Sequence, residues 1–160
     1  MKTFKKIQLL ILGILFSFNA FAQQDDALVK LNQKHNLIED GFGAQGYDVV
    51  AYFTKSKAQK GNSKYQHKFH GITYRFKTEE NLNLFKANPS KYEPAYGGWC
   101  AYAVAEKGIK MEPDADSFRI QNGKLYFFYD GFFNNTIKIW EEAPKEYKVK
   151  GDKNWKKIIK

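Results

Sequence analysis

Tyr65-Gln66-His67-Lys68-Phe69-His70-Gly71-Ile72-Thr73-Tyr74-Arg75-Phe76 is followed at once by Lys77-Thr78-Glu79-Glu80-Asn81-Leu82-Asn83-Leu84-Phe85. In the first part Tyr65, His67 and Phe69 alternate with Gln66, Lys68 and His70, and beyond Gly71 the alternation resumes through Ile72, Tyr74 and Phe76. A period of two broken by a glycine predicts an antiparallel hairpin turning near His70-Gly71. The second part changes period. Thr78 is a helix-capping residue, Leu82, Leu84 and Phe85 supply an apolar side, and Pro89 ends the helix after Asn88. A strand pair running directly into a helix predicts an α+β fold.

The flanking segments extend this reading. Phe118–Gln121 and Lys124–Tyr129 are joined by Asn122-Gly123, the preferred residue pair of a two-residue hairpin turn, so a second hairpin is expected. Beyond it, Ile137 and Trp140 predict a helical segment, Pro144 a stop, and Asp152 to Trp155 a last short turn. Toward the amino end, Ala27, Leu28, Leu31 and His35 fall at helical spacing between Asp25 and Leu37. Gly41, Gly43 and Gly46 then lead to Tyr47-Asp48-Val49-Val50-Ala51-Tyr52-Phe53, whose β-branched and aromatic content predicts a buried strand or tight extended turn. Thr54 to Lys64 is polar and is expected to be a loop, and Tyr92 to Trp99 is a turn-rich connection with Pro94 and Gly97-Gly98. No internal repeat is evident along the chain.

The amino end has the order of a cleavable signal peptide: Lys2, Lys5 and Lys6, an apolar run from Ile7 to Phe18, then Ala20-Phe21-Ala22. The apolar run is too short to span a bilayer, for which about 20 residues are needed. The expected organisation is a signal peptide at 1–22, a helix and Gly-rich lead-in at 23–46, and one α+β domain at 47–160. The mature protein is then expected in the periplasm or outside the cell, with no stable membrane span. Removal of 1–22 lowers the formal charge from +9 to +6. In an exported chain that charge speaks for a solvated lysine-rich surface and against a nucleic-acid partner, with an anionic envelope surface as the alternative partner. Cys100 is the only cysteine of the 160 residues, so no intramolecular disulfide can form.

Several motifs resemble those of the exported bacterial YHS domain proteins. They are Tyr47 to Phe53, Gly71 with Tyr74 and Phe76, Phe85 followed by Pro89 and Tyr92, Tyr96-Gly97-Gly98-Trp99-Cys100-Ala101, Gly123-Lys124-Leu125-Tyr126 and Asn154-Trp155. The resemblance implies a small domain of two hairpins packed with short helices, and it implies heavy-metal binding, copper above all. In metal-binding members of the wider group, cysteines stand between the hairpin and the helix. Here Lys77 and Asn81 occupy those places, and the name-giving tripeptide is absent, so that metal site is not carried over.

The residues left to supply chemistry are few. Copper(I) favours thiolate and thioether ligands, and copper(II) and zinc also accept imidazole. The candidate metal ligands are Cys100 as the principal one, with His67 or Met111 assisting, and His35 and His70 complete the inventory. His67 and His70, three apart on a strand, would face opposite sides unless the turn begins before His70. The Gly97-Gly98 pair would let N–H groups approach the Cys100 thiol and activate it, which predicts a thiol-redox protein. The apolar run after Cys100 predicts instead a buried, inert thiol in a non-catalytic interaction module. Glu112, Asp114 and Asp116 form an acidic group that suits either a hard cation or turn and capping duty. No Ser-His-Asp order, zinc-hydrolase motif, phosphate-binding loop or dinucleotide fingerprint is present, so nothing supports an enzyme.

Overall fold

Asp48 opens a helix rather than a strand. The computed structural model describes residues 34–36, 41–131 and 134–160, all within the unit Asn32–Lys160. The expected signal peptide and most of the helix expected from Asp25 to Leu37 lie outside the described residues. Helix α1 is Val49–Lys55, and the Asp48 carboxylate accepts the N–H groups of Val50 at 2.9 Å and Ala51 at 3.2 Å. The strand expected over Tyr47 to Phe53 is corrected by this cap. Satisfying two orphan amides at a helix start outweighs the modest β preference of Val and Tyr. Val49, Val50, Ala51 and Tyr52 are all buried on that helix.

Strands β1 (Asn62–Phe69) and β2 (Ile72–Phe76) form the expected antiparallel hairpin, with His67 opposite Tyr74 and Phe69 opposite Ile72. His70 and Gly71 turn it, both with positive φ (49° and 83°), as a type I′ connection requires. Ile72, Tyr74 and Phe76 face the core. Helix α2 (Glu79–Ala87) starts at Thr78, whose hydroxyl accepts the Asn81 N–H at 3.1 Å. Its buried side differs from expectation, because Leu84 is exposed whereas Asn81 and Phe85 are buried. The Asn81 amide is drawn inward to Asp48, which sets the rotation of the helix and turns Leu84 to solvent. A short helix α3 (Pro89–Tyr92) follows, with Pro89 in its first turn.

The second half begins at a tight turn, Ala95–Gly98, followed by Cys100 and a helical stretch ending in the π-helical turn Ala103–Lys107. Strands β3 (Asp114–Gln121) and β4 (Lys124–Phe128) form the second hairpin, and Asn122 and Gly123 turn it with φ of 50° and 72°. Helix α4 (Thr136–Glu142) is capped by Asn135. The tail also departs from expectation. Pro144 does not only stop a helix; it begins α5 (Pro144–Ile158), a continuous 15-residue helix in place of a short turn. Proline suits a first helical turn, and Gly151 lies where any Cβ would collide with the Tyr96 ring.

The chain repeats its own architecture, which corrects the expectation of no repeat. Every hairpin boundary recurs 52 residues later: Asn62 and Asp114, Phe69 and Gln121, Ile72 and Lys124, Phe76 and Phe128. The preceding turns Gly43–Gly46 and Ala95–Gly98 hold the same spacing, and the left-handed residues Ala44 and Gln45 of the first recur at the same positions as Tyr96 and Gly97 of the second. The shared register reaches single hydrogen bonds. Asp48 N–H donates to the Gln59 carbonyl at 2.8 Å and Cys100 N–H to the Met111 carbonyl at 2.9 Å. Lys77 N–H donates to the Asp48 carboxylate at 2.7 Å and Tyr129 N–H to the Cys100 sulfur at 3.3 Å. Only six residues are identical between 43–78 and 95–130, and these are too sparse to show as a sequence repeat.

Asp48 is fully buried and accepts four hydrogen bonds, the fourth from the Asn81 amide at 2.7 Å. An Asp48→Ala protein is expected to lose about 3 kcal/mol or more, because buried donors on α1, Lys77 and Asn81 are all left without a partner. Denaturant unfolding of the variant against the parent measures this, and a loss under about 1 kcal/mol would contradict the assigned role.

Candidate functional site

Cys100 takes the place in the second half that Asp48 takes in the first. Its side chain has no exposed surface, and two groups meet the sulfur. Tyr129 N–H donates to it at 3.3 Å, and the Thr136 hydroxyl lies at 3.7 Å. That hydroxyl donates its own hydrogen to the Tyr129 carbonyl at 2.7 Å, so it meets the sulfur as an acceptor. The thiol hydrogen then points to Thr136 and a sulfur lone pair faces Tyr129, which is a complete set of partners for a neutral thiol.

The other expected ligands are dispersed differently. Met111 is half-buried, and its carbonyl accepts the Cys100 N–H, so these two residues are neighbours through the backbone. His67 is half-buried on β1 of the first hairpin, its ring edge-on to Phe85 with centroids 6.1 Å apart. The turn starts at His70, whose exposed ring stacks on Phe69 and reaches Glu93 at 3.4 Å. His35 is buried against the 95–98 turn, where Asn36 N–H donates to the Gly97 carbonyl at 2.8 Å. Gly97 has positive φ, and any Cβ there would collide with the Lys34 carbonyl, so this contact requires glycine. Burial, then the charges of Lys34 and His70, hold the His35 pKa down to about 4. Among the described residues, no group of three or more His, Cys, Asp or Glu side chains could hold a metal ion.

Next to Cys100 lies an open cleft of about 400 Å³, lined by Gln45, Tyr47, Glu112, Pro113, Asp114, Ala115, Asp116 and Tyr129. Its walls continue directly from the two backbone segments that hold Cys100, since Glu112 follows Met111 and Tyr129 supplies the N–H to sulfur. Gln45, itself nearly buried, donates its amide to the Pro113 carbonyl at 3.2 Å and to the Glu112 carboxylate at 3.4 Å. Tyr52 adds a bond from its hydroxyl to the Ala115 carbonyl at 3.1 Å. Of the acidic group, Asp114 accepts the Asp130 N–H at 2.7 Å, the turn-supporting use of such a side chain. Asp116 and Glu112 are exposed, and with the rings of Tyr47 and Tyr129 they give the cleft acidic and aromatic walls.

Residue-level reasoning missed Asp48, Thr136 and the cleft. An Asp directly before an apolar run is a helix-start signal that would have found the first. Thr136 lies 36 residues from Cys100 and carries no local signal. No family model, curated protein or solved structure matches the chain.

Two outcomes follow. The Cys100 thiol should resist alkylation by iodoacetamide in the folded protein and react with one equivalent once it is unfolded in guanidinium. Native-state reaction at the rate of a small free thiol would contradict its sealed setting. His35, about 4 when folded against 6.5 when unfolded, binds its proton more weakly in the folded state. Its contribution is complete above pH 6.5 and is lost as pH falls toward 4, by about 1 to 3 kcal/mol. Unfolding measured across that window should show the decline, and His35→Gln should flatten it.

Proposed function

We propose that the chain is an exported, non-catalytic binding module in which Cys100 is a structural thiol and the ligand is met at the acidic, aromatic-walled cleft. The observation that carries this reading is the setting of Cys100: no exposure, and both hydrogen-bonding roles of the thiol engaged by Tyr129 and Thr136. A nucleophile needs an open approach and a metal ligand needs further donors converging on its sulfur, and a neutral thiol enclosed by Tyr129 and Thr136 has neither among the described residues. The order of motifs resembling the exported YHS domain proteins supports export to the periplasm or beyond and a small binding domain. Lys77 and Asn81, at the places of the cysteines in metal-binding members, are both engaged with Asp48, which supports a reading without that group's metal site.

The cleft's size lies within the roughly 300 to 1,000 Å³ of small-ligand sites. The Lys60 ammonium already lies 4.3 Å over the Tyr47 ring, so it is the Glu112 and Asp116 carboxylates beside the Tyr129 ring that favour a cationic ligand such as an amine or a lysine-bearing peptide. Trilysine is the probe. In the full-length chain, the amide resonances of Tyr47, Asp116 and Tyr129 are expected to shift with trilysine and not with triglutamate, and Asp116→Asn with Glu112→Gln should weaken the response at least threefold. Unmoved cleft resonances at millimolar trilysine would remove this ligand class.

One observation favours copper as a second reading: the bond from Cys100 N–H to the Met111 carbonyl makes a thiol and a thioether residue neighbours. The same bond joins Asp48 to Gln59 in the first half, so the repeated scaffold accounts for it without a metal. Copper(I) titration of the parent and of Cys100→Ser separates the readings. The structural-thiol reading expects no Cys100-dependent site tighter than micromolar, and finding one would replace it with the copper module.

A further inference from the structure

Helix α5 is held from one side. Asn154 donates its amide to the carbonyls of Val104 and Ala105 at 3.2 and 3.0 Å, and Tyr147, Trp155 and Ile158 pack on the aromatic core of the second half. Gly151 lies flat against Tyr96. These contacts set the rotation of the helix. At about 100° per residue, Lys145, Val149, Lys153, Lys156 and Lys157 then share an arc of roughly 120° on the opposite side. All five are exposed, and exposed Lys160 follows just past the helix end.

The charges on that face have no partners of their own. Lys148 and Lys150 are paired with Asp152 and Glu106. Lys145, Lys153, Lys156, Lys157 and Lys160 enter no ion pair among the described residues, and Glu146 is the one acid in the arc. Near its middle Val149 is 69% exposed, the highest value among the exposed large apolar side chains of the described residues.

We propose that this face docks on membranes rich in anionic phospholipid. A rigid helix presenting several unpaired ammonium groups around an apolar side chain is complementary to a plane of phosphate headgroups over acyl chains. The lysines meet the headgroups, and Val149 enters the boundary layer. Nucleic acid is also polyanionic and lysines can meet its phosphates, but this face has neither an arginine nor an aromatic ring to read or stack on bases, and exposed Val149 finds a partner only in a lipid surface. The membrane surface is a second contact of the module, independent of what the cleft binds.

Vesicle co-sedimentation of the full-length chain tests it. Vesicles of phosphatidylcholine alone set the baseline, because the apolar run Ile7 to Phe18 would partition into either kind. Vesicles of equal parts phosphatidylglycerol and phosphatidylcholine should bind more tightly by nearly three orders of magnitude at low salt, at about fivefold for each of the five lysines with one offset by Glu146. That preference should collapse near 0.5 M salt, where screening is roughly complete beyond a few ångströms. Combining Lys145→Gln, Lys153→Gln, Lys156→Gln and Lys157→Gln should cut it by at least about a hundredfold without changing the melting temperature, leaving only what Lys160 and the amino-terminal Lys2, Lys5 and Lys6 contribute, and Glu146→Lys, a change of two charges, should strengthen it about 25-fold. A folded quadruple variant that binds the anionic vesicles as tightly as the parent would overturn the proposal. So would tighter binding to a DNA duplex than to the anionic vesicles.

Discussion

Each half of this protein is organised around one backbone N–H, the first beyond the second strand of its hairpin, and the side chain that receives it from the start of a helix. In the first half Lys77 donates to Asp48, and in the second Tyr129 donates to Cys100. The bond ties a strand end to a helix start, so hairpin and helix cannot move independently. Burial makes it matter, because a backbone N–H without a partner at a site closed to water costs far more than an average hydrogen bond contributes. The acceptor's own N–H is bound in turn, by Gln59 in one half and Met111 in the other. Each acceptor residue therefore joins three segments of chain.

The two acceptors are chemically unequal, and their surroundings compensate. Asp48 receives four bonds and is a strong acceptor; Cys100 is a weak one, and its sulfur has only Tyr129 and Thr136. The weaker acceptor is surrounded by dense aromatic packing. Tyr126, Phe128 and Trp140 form its centre, Trp140 stacks on Tyr147 at 5.8 Å, and Tyr96 and Trp99 close one side. In the first half Phe85 alone meets Phe69, Tyr74, Phe76, Tyr92 and the His67 ring. Aromatic burial contributes without the directional demands of a carboxylate. A thiol suffices where the ring packing already positions the strand.

What could be read from the chain follows the range of the interactions. Asn122-Gly123, His70-Gly71 and Thr78 act over two to four neighbours, and the elements they announce are present. Tyr47 to Phe53 misled because residue preference competed with a cap, and the cap's further partners, Lys77 and Asn81, lie 29 and 33 residues away. Leu84 misled for the same reason. The burial of Cys100 was among the alternatives read from the apolar run that follows it, but its partners Tyr129 and Thr136 have no local mark. The repeat was hidden because it is conserved in positions and bonds rather than in residue types. An aspartate and a cysteine do not align by character, though they accept the same N–H.

The acidic cleft and the lysine face of α5 belong to the same account. Gln45 and Tyr52 cross from the first half to the strand lead-in of the second, and the cleft opens where those bonds hold the 43–46 turn beside residues 112–116. Its position therefore derives from the repeat, since the turn in one half and the strand start in the other are each fixed by their own acceptor. The lysine face has no counterpart of that kind. It sits on α5, beyond the repeated unit, and its orientation comes from Gly151 against Tyr96 and Asn154 against the π-helical turn. That turn ends at Gly108, so the carbonyls of Val104 and Ala105 belong to a helix end and are open to a side-chain donor such as Asn154. The contacts that aim the lysines outward therefore meet the second copy at its first turn and at the end of its helix. The repeated scaffold places the cleft, and the docking of α5 on its second copy places the basic face.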